Sequence, residues 1–220
     1  AAISSGAVYA ICSNLYGYGP VDGPIGTDAP LNATGTKGRV RAAMWADALA
    51  AHSRGEVRVT EVRSSDYLGA NAESHLGTRI VPNILKGKGV RVVGDPDAAH
   101  SWTFTEDAAR TLVAAAASPQ AWGRAWHTPS NPPKSQREAI ADLASAAGVD
   151  DIPVKGMSRS MVSTIGLLVP TVRELRETYY QFGSPFIMKD SETRSAFDLE
   201  PTDWRVVLDR HIAPFLAASI

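Results

Sequence analysis

The side chains whose types and spacing could form a reaction site lie near the amino end: Ser13, Asn14, Tyr16, Tyr18 and Lys37. The first two follow an apolar run at residues 6–12 that has the length of a β-strand. The tyrosines lie in the glycine-rich loop that comes next, and the lysine stands at a predicted helix start. Because a parallel strand delivers the residues at its carboxyl end to a crevice, we expect these groups to line one cleft.

Each of these positions also has a plain structural interpretation. A tyrosine in a glycine-rich loop is more often a packing or stacking residue than a catalyst. A lysine at a helix start is commonly solvated, but the helix dipole opposes a cation there, which favours a functional Lys37. Within the strand, Cys12 is interpreted as a small buried hydrophobic residue.

The composition is that of a globular chain with balanced charge. Its 220 residues include 22 basic and 23 acidic side chains, and its formal net charge is -1. Since no basic block is present, we expect neither a nucleic acid nor an anionic membrane as a partner. No apolar stretch approaches the roughly 20 residues that span a bilayer. With a single cysteine and no signal-peptide pattern, we expect a cytoplasmic protein.

Two other kinds of chemistry lack the spacing that they require. The five histidines are scattered without metal-ligand spacing, so no metal site is predicted. The chain also has no Gly-x-Ser-x-Gly sequence of the kind that presents a hydrolase nucleophile.

Strand-like and helix-like segments alternate, which is typical of an α/β fold. A strand at 6–12, a helix at 38–52 and a strand at 56–62 predict one crossover unit over residues 6–63. The predicted apolar face of that helix consists of Val40, Met44, Ala48 and Ala51.

Further elements are predicted from local signals. Two capping boxes, Ser135 to Glu138 and Thr171 to Glu174, predict helix starts because a hydroxyl and a carboxylate can satisfy the first backbone amides. Pro214 is expected to kink or interrupt the last helix. The remaining predicted elements are helices at 79–86, 105–117, 136–147, 172–182 and 201–218, and a strand at 89–93.

Several short motifs occur in a telling order: Ser13, Tyr18-Gly19, Lys37, Val62-Arg63, Tyr67-Leu68-Gly69, Gly87-Lys88, Gly94-Asp95 and Phe104 to Asp107. In that order they resemble the carboxyl two-thirds of an extended short-chain dehydrogenase/reductase, the NAD-dependent epimerase/dehydratase group. The resemblance implies a Rossmann-like parallel sheet with a smaller α/β substrate-binding domain. It also implies NAD or NADP as cofactor and a small carbonyl, hydroxyl or sugar-type substrate, with chemistry at the domain junction.

The resemblance assigns catalytic positions, and this chain departs from two of them. Lys37 matches the lysine that holds the cofactor ribose, but the tyrosine expected four residues earlier is Ala33. The serine position is Asn14, with Ser13 adjacent. Three explanations stay open. A loop tyrosine supplies the proton, an atypical acid does so, or the chain is a catalytically silent NAD(P)-binding sensor or interaction protein.

The resemblance also implies binding residues. Those assigned to the cofactor are Ser13, Lys37, Arg63, Ser64 and Ser65, and those assigned to the substrate are Asp66, Tyr67 and His100. Sugar-nucleotide relatives carry an arginine for the diphosphate where this chain has His100, which favours a smaller substrate. A surface position beside a turn is the other interpretation of His100.

The implied domain arrangement assigns residues 1–69 to the carboxyl part of the Rossmann domain. Residues 70–220 are then mainly a substrate-binding region, with 101–130 returning to pack on the Rossmann domain. The glycine-rich phosphate-binding segment is expected to be a missing partner of roughly 100 residues ahead of this chain. Without it, the sheet would expose an edge that invites association, and a homodimer is left open.

Overall fold

A computed structural model describes residues 1–218, with only the backbone described at Thr171. The strands are β1 (Val8–Asn14), β2 (Arg58–Ser64), β3 (Asp66–Leu68), β4 (Val90–Val93), β5 (Ala99–His100), β6 (Trp102–Phe104), β7 (Ala125–His127), β8 (Lys134–Ser135) and β9 (Val154–Met157). The α-helices are α1 (Ala2–Ser5), α2 (Thr36–Ser53), α3 (Val81–Ile84), α4 (Thr105–Ala117), α5 (Gln136–Ala146), α6 (Arg159–Leu168), α7 (Pro170–Arg173), α8 (Leu175–Thr178), α9 (Tyr180–Gly183), α10 (Ser191–Phe197) and α11 (Trp204–Ala217). Two 3-10 helices, η1 (Leu15–Tyr18) and η2 (Pro119–Ala121), complete the set.

The chain divides into two compact units. The first contains Ala1–Ser65, Glu106–Ser130 and Met188–Pro201, and the second contains Asp66–Thr105, Asn131–Ile187 and the chain from Thr202 onward. Assignment of cofactor binding to one region and substrate binding to the other stays a prediction.

The first unit is built on a parallel sheet in the order β1-β2-β7. The register of β1 on β2 runs from Val8 opposite Arg58 to Asn14 opposite Ser64. Because α2 connects these two parallel neighbours, the predicted crossover unit is confirmed. The α/β fold class with a parallel sheet is confirmed with it.

Both faces of this sheet are covered, because side chains alternate along each strand. Ile11 and Val59 pack with Trp45 of α2 on one face. Val62 and Trp126 pack with Ala115 of α4 on the other face. The middle strand β2 is therefore buried on both sides, and a polar side chain on it needs a partner inside the protein.

The second unit has three two-stranded sheets, which pair β3 with β6, β4 with β9 and β5 with β8. The first two pairs are parallel and the third is antiparallel. Its core joins α3, α5 and α11 to strands β3, β4 and β6, and includes Leu68, Ile84, Val92, Phe104, Ile140, Leu143, Val207 and Ile212.

Several local predictions are confirmed. Ser135 accepts a hydrogen bond from the Glu138 amide at 3.2 Å, and the Glu138 carboxylate accepts one from the Ser135 amide at 2.7 Å. The helix α4 has the predicted bounds, with two acidic residues in its first turn. Within α11, Val207, Leu208 and Ile212 are buried as predicted.

The helix predicted over 172–182 is wrong. The structure has three single-turn helices, α7, α8 and α9, and α7 begins at Pro170 with Val169 as its N-cap residue and no side-chain cap. Proline favours the first helical position because its missing N–H would have had no partner there. The backbone of Thr171 therefore lies inside α7 and not at the N-cap position on which the predicted capping box depends.

Three further expectations are corrected. Val40 and Met44 are 52% and 42% exposed, because the buried stripe of α2 is the one that contains Trp45. Cys12 is exposed, because β1 is an edge strand of the described sheet. Pro214 does not interrupt α11, which runs on to Ala217, and the alternative expectation of a kink stays a prediction.

Within residues 1–218, no helix is both long enough and apolar enough to cross a membrane.

We predict that Ser135→Ala lowers the free energy of unfolding by about 1 kcal/mol, because the Glu138 amide loses its acceptor. Denaturant unfolding measures this loss. Ser145→Ala is the matched control, since Ser145 is exposed on the same helix. Equal losses in the two variants would show that the cap contributes nothing.

Candidate active site

The carboxyl ends of β1 and β2 lie side by side and bring four predicted site residues together. Ser13 is opposite Arg63, and Asn14 is opposite Ser64. Residues in register share a face of the sheet, so Ser13 and Arg63 lie on the face that α2 covers. Ser13 is buried there, whereas Asn14 is half-buried at the last position of β1.

The side chain of Asn14 begins the 3-10 helix η1. Its Oδ1 accepts a hydrogen bond from the Tyr16 amide at 3.1 Å. Since this contact uses the carbonyl oxygen of the side-chain amide, it fixes Nδ2 as the remaining donor. Asn14 thus keeps one hydrogen-bond donor that could address a substrate oxygen at the end of the strand.

Lys37 is the second residue of α2, and the start of that helix is seated on η1. A Cβ at Gly38 would collide with the Tyr16 carbonyl oxygen and with the Cβ of Ala33, so only glycine allows this approach. The backbone of Tyr16 therefore contacts Asn14 and the residue next to Lys37. Its N–H binds Asn14, and its C=O lies against the residue after Lys37.

The backbone around Ala33 is packed against the loop after β1. Ala33 lies three residues before α2, and its amide donates to the Gly17 carbonyl at 3.1 Å. Gly19, with φ of 71°, approaches so closely that a Cβ there would be 2.9 Å from the Ala33 Cα. Ala33 is half-buried and has no ionisable group.

Tyr18 is the centre of a buried hydrogen-bond network, and it is only 1% exposed. Its hydroxyl accepts from Nη1 of Arg63 at 2.7 Å and lies 2.8 Å from Nε2 of His127. Nδ1 of His127 is 2.8 Å from the Lys189 carbonyl oxygen. Because a carbonyl only accepts, Nδ1 carries the proton, and Nε2 accepts from the Tyr18 hydroxyl.

The electrostatics agree with this direction of donation. Burial lowers the pKa of His127 to about 4, against the opposing effect of its bond to Lys189, so the ring is neutral near pH 7. Burial also raises the pKa of Tyr18 above its usual value, although Arg63 acts against that rise. The phenol is therefore neutral and has hydrogen-bond partners on both sides.

A buried ion pair supplies the charge of this network. Arg63 and Glu61 are both on β2, two residues apart and hence on one face, and they are 3% and 2% exposed. Nε and Nη2 of Arg63 each lie 2.6 Å from Oε2 of Glu61. The guanidinium also lies over the rings of Tyr18 and Trp45, at 5.0 and 5.7 Å from their centroids.

Two of the predicted cofactor residues are inside the protein. Ser64 is fully buried, and its hydroxyl is 2.8 Å from that of Thr128. Ser65 is 6% exposed. Their roles as cofactor contacts stay predictions, and the structure gives Ser64 a role in joining β2 to the residue after β7.

The predicted substrate residues lie in the second unit, where Asp66 and Tyr67 belong to β3 and are half-buried. His100 is 1% exposed, so its interpretation as a surface histidine is wrong. Its Nε2 is 2.9 Å from Oδ2 of Asp66, and its Nδ1 is 3.1 Å from the Gln181 carbonyl. Burial alone would raise the pKa of Asp66, but the hydrogen bond and charge of His100 outweigh it and hold that pKa below its usual value.

Sequence reasoning missed Glu61 and His127 as functional candidates. One signal was available, because a strand buried on both faces is normally a continuous apolar run. Glu61 and Arg63 interrupt such a run with opposite charges two residues apart, which indicates an ion pair on one face. Within residues 1–218, no group of three or more His, Cys, Asp or Glu side chains could hold a metal ion.

We predict that Arg63→Met lowers the free energy of unfolding by about 3–5 kcal/mol, because it leaves the Glu61 carboxylate buried and unpaired. The double variant Glu61→Gln/Arg63→Met should recover most of this loss. Denaturant unfolding of all variants tests the pair. Arg54→Met, which breaks the exposed pair with Glu56, is the control and should cost less than about 1 kcal/mol. Equal losses for Arg63→Met and Arg54→Met would contradict the account.

We also predict a pH dependence that belongs to His127. Its folded pKa of about 4 lies below the usual 6.5, so the unfolded chain binds the extra proton first as the pH falls. The stabilisation is complete above pH 6.5 and is lost towards pH 4, with a size on the order of 3 kcal/mol. Chemical unfolding across this range should show a steeper loss for the natural protein than for His127→Gln. Parallel curves would exclude His127 as a source.

Comparison with known proteins assigns this fold to a family. Residues 2–126, more than half of the chain, match the model of the NAD dependent epimerase/dehydratase family. A search of curated proteins finds no significant match.

Solved structures of similar fold cover nearly all of this chain. DesIV, a dTDP-glucose 4,6-dehydratase from Streptomyces venezuelae solved as a double mutant with NAD, has 18% identity and a TM-score of 0.73, covering 96% of this chain and 61% of that one. The UDP-glucuronic acid 4-epimerase of Bacillus cereus, solved with NAD, has 13% identity and a TM-score of 0.75, covering 97% and 62%. RMD of Pseudomonas aeruginosa, solved with NADPH, has 14% identity and a TM-score of 0.72, covering 96% and 66%.

This chain thus spans about six-tenths of the length of the first of these proteins. At such identities the likeness establishes a shared Rossmann-like fold. Together with the family match over residues 2–126, it leads to one conclusion: the chain belongs to the NAD dependent epimerase/dehydratase family.

Proposed function

We propose that the protein is an NAD(P)-dependent oxidoreductase or epimerase that acts on a small carbonyl, hydroxyl or sugar-type substrate. The observation that carries the proposal is the position of Tyr16, whose backbone contacts the Asn14 side chain on one side and the start of α2 on the other. This arrangement supports a common cleft for Asn14 and Lys37 at the carboxyl ends of β1 and β2.

The residues present fit the ribose and nicotinamide portion of such a cofactor. Lys37 would donate from its ammonium to the ribose hydroxyls, and its positive charge would lower the pKa of a nearby acid. The Nδ2 of Asn14 would hold the substrate oxygen, whereas Ser13, which is buried on the face that α2 covers, stays a predicted contact. When bound, NAD(P) supplies the hydride acceptor or donor. The chain contains no Gly-x-Gly-x-x-Gly sequence, so these residues account for one end of the cofactor and leave its pyrophosphate unassigned.

The proton donor is the part of the site that differs most from the family pattern. Ala33 has no proton to give, and Tyr18 could act only by leaving its contacts with Arg63 and His127. Of the two loop tyrosines, we therefore favour Tyr16, which is half-buried and lies two residues after the end of β1. Its proton would be exchanged with the substrate hydroxyl or carbonyl.

The substrate class follows from charge as much as from family. DesIV and the UDP-glucuronic acid 4-epimerase bear the names of sugar-nucleotide enzymes, which supports a sugar-type substrate here. His100, assigned by resemblance to a diphosphate-binding position, is instead paired with the carboxylate of Asp66. The Nε2 of His100 is already bonded to a carboxylate, and that carboxylate repels a diphosphate, which favours a substrate with less negative charge.

A second candidate function is a catalytically silent NAD(P)-binding sensor or interaction protein. Ala33 favours it, because the position that the resemblance assigns to the catalytic tyrosine has no proton to give. The two candidates differ in turnover and agree in cofactor binding.

We predict that Lys37→Ala in the natural polypeptide lowers kcat/KM by at least about 100-fold, as expected for loss of a group that supports proton transfer. Turnover is followed by the absorbance of the reduced nicotinamide and by NMR of the products. The panel contains sugar nucleotides, free sugars and simple carbonyl compounds. Lys88→Ala, at an exposed lysine of the second unit, is the matched control and should stay within about twofold.

If calorimetry shows binding of NAD(P) but no compound on the panel is turned over, the enzyme proposal is wrong and the silent binder is the function that remains. Full activity of Lys37→Ala would remove that lysine from the site.

A further inference from the structure

The loop that carries the candidate chemistry is held at both ends. At its start, Asn14 accepts from the Tyr16 amide. At its end, the Gly19 amide donates to the Tyr16 carbonyl at 3.2 Å. The Tyr18 hydroxyl forms hydrogen bonds with residues of two strands of the sheet. Since η1 has only four residues, fixing the ring of Tyr18 also restricts the backbone of Tyr16.

The hydroxyl of Tyr18 joins parts that are far apart in sequence. Arg63 belongs to β2, His127 belongs to β7, and His127 in turn donates to Lys189 in the last segment of the first unit. Each of these hydrogen bonds pairs one donor with one acceptor, and the side chains of Tyr18, Arg63 and His127 are buried. Such a fully satisfied network has one arrangement of low energy, which makes it suited to fixing a loop.

We infer that Tyr18 and His127 are positioning residues, which fix η1 and thereby hold Asn14 and Lys37 in the geometry that the reaction needs. The inference rests on the proposed function for its kinetic consequence only. Neither residue touches substrate or cofactor in this account. They act through Tyr16, whose amide and carbonyl contact the Asn14 side chain and the Gly38 backbone.

The alternative is that the network only stabilises the fold. It would then change the midpoint of unfolding without changing the rate of the folded enzyme. Displacing a reacting group by even 1 Å can reduce a rate about 100-fold, so a positioning role has a separate kinetic signature.

The kinetic experiment compares four variants, each measured at a temperature where it is folded. Tyr18→Phe removes one oxygen, and His127→Asn removes the acceptor at Nε2, so each should lower kcat by at least about tenfold with little change in the KM for cofactor. His127→Gln, whose Oε1 reaches the Nε2 position, should restore most of kcat. Tyr9→Phe, at a 45% exposed tyrosine of β1, is the matched control and should remain within about twofold.

Because Tyr18 and His127 act through one hydrogen bond, the double variant Tyr18→Phe/His127→Asn should be no slower than the slower single variant. Unchanged kcat in the folded single variants, or multiplying losses in the double variant, would overturn the inference.

A second measurement needs no activity and separates this inference from the proposed function. Amide hydrogen exchange in Tyr18→Phe should be at least about tenfold faster at Tyr16, Gly19 and Ala33, whose N–H groups bond within or against η1. The Glu61 amide, which donates to the Arg124 carbonyl inside the sheet, should keep its protection. Unchanged exchange at the three loop amides overturns the positioning role. If the natural protein is inactive but Tyr18→Phe shows the expected exchange pattern, the proposed function is wrong and the positioning role of Tyr18 still holds.

Discussion

A buried carboxylate and guanidinium on the middle strand of the sheet determine how the first unit is arranged. Glu61 and Arg63 have no access to water, and two such charges are tolerated only when they are paired and their remaining hydrogen-bonding positions are filled. Tyr18 fills one of those positions and passes the contact on to His127. An ion pair that would by itself add little stability thus determines where the loop after β1 must lie.

The candidate site differs from the family pattern at position 33. The start of α2 packs against η1, because Gly38 leaves room for the Tyr16 carbonyl oxygen and the Ala33 Cβ. Ala33 has no proton to give. Lys37 and Asn14 are then the groups through which the proposed chemistry must run.

The parts of the fold that the sequence predicts correctly are those that depend on contacts between near neighbours in sequence. The apolar run ahead of Ser13 and the helix that follows predict the crossover, and Ser135 with Glu138 predicts a helix start, because neighbours in sequence make those contacts. The same local reasoning failed at Thr171, because the helix begins at Pro170, two residues before the predicted start at 172. Local reasoning also predicted that Val40 faces inward, which is wrong. The apolar residues of α2 form two stripes, and only packing against the sheet selects the stripe with Trp45 as the buried one.

The network at Tyr18 could not be predicted in this way, because its partners are 45 and 109 residues away in sequence. The pairing of Glu61 with Arg63 could have been suspected from their spacing, but His127 could not. Burial lowers the pKa of His127 and keeps its ring neutral, and the ring's partner is a carbonyl group 62 residues further along, at Lys189. The family resemblance supplied Lys37 and Asn14, and the structure adds the contacts of Tyr16 with Asn14 and with Gly38, the residue after Lys37.

The central claim is that Asn14 and Lys37 act on one bound cofactor and substrate. A crystal structure of the natural polypeptide with NAD(P) tests it most directly. The account places the Lys37 ammonium about 3 Å from a ribose hydroxyl and the Asn14 amide beside the nicotinamide, with the Arg63, Tyr18 and His127 contacts intact. A cofactor bound away from the ends of β1 and β2, or a Lys37 side chain directed to the opposite surface from Asn14, would contradict it.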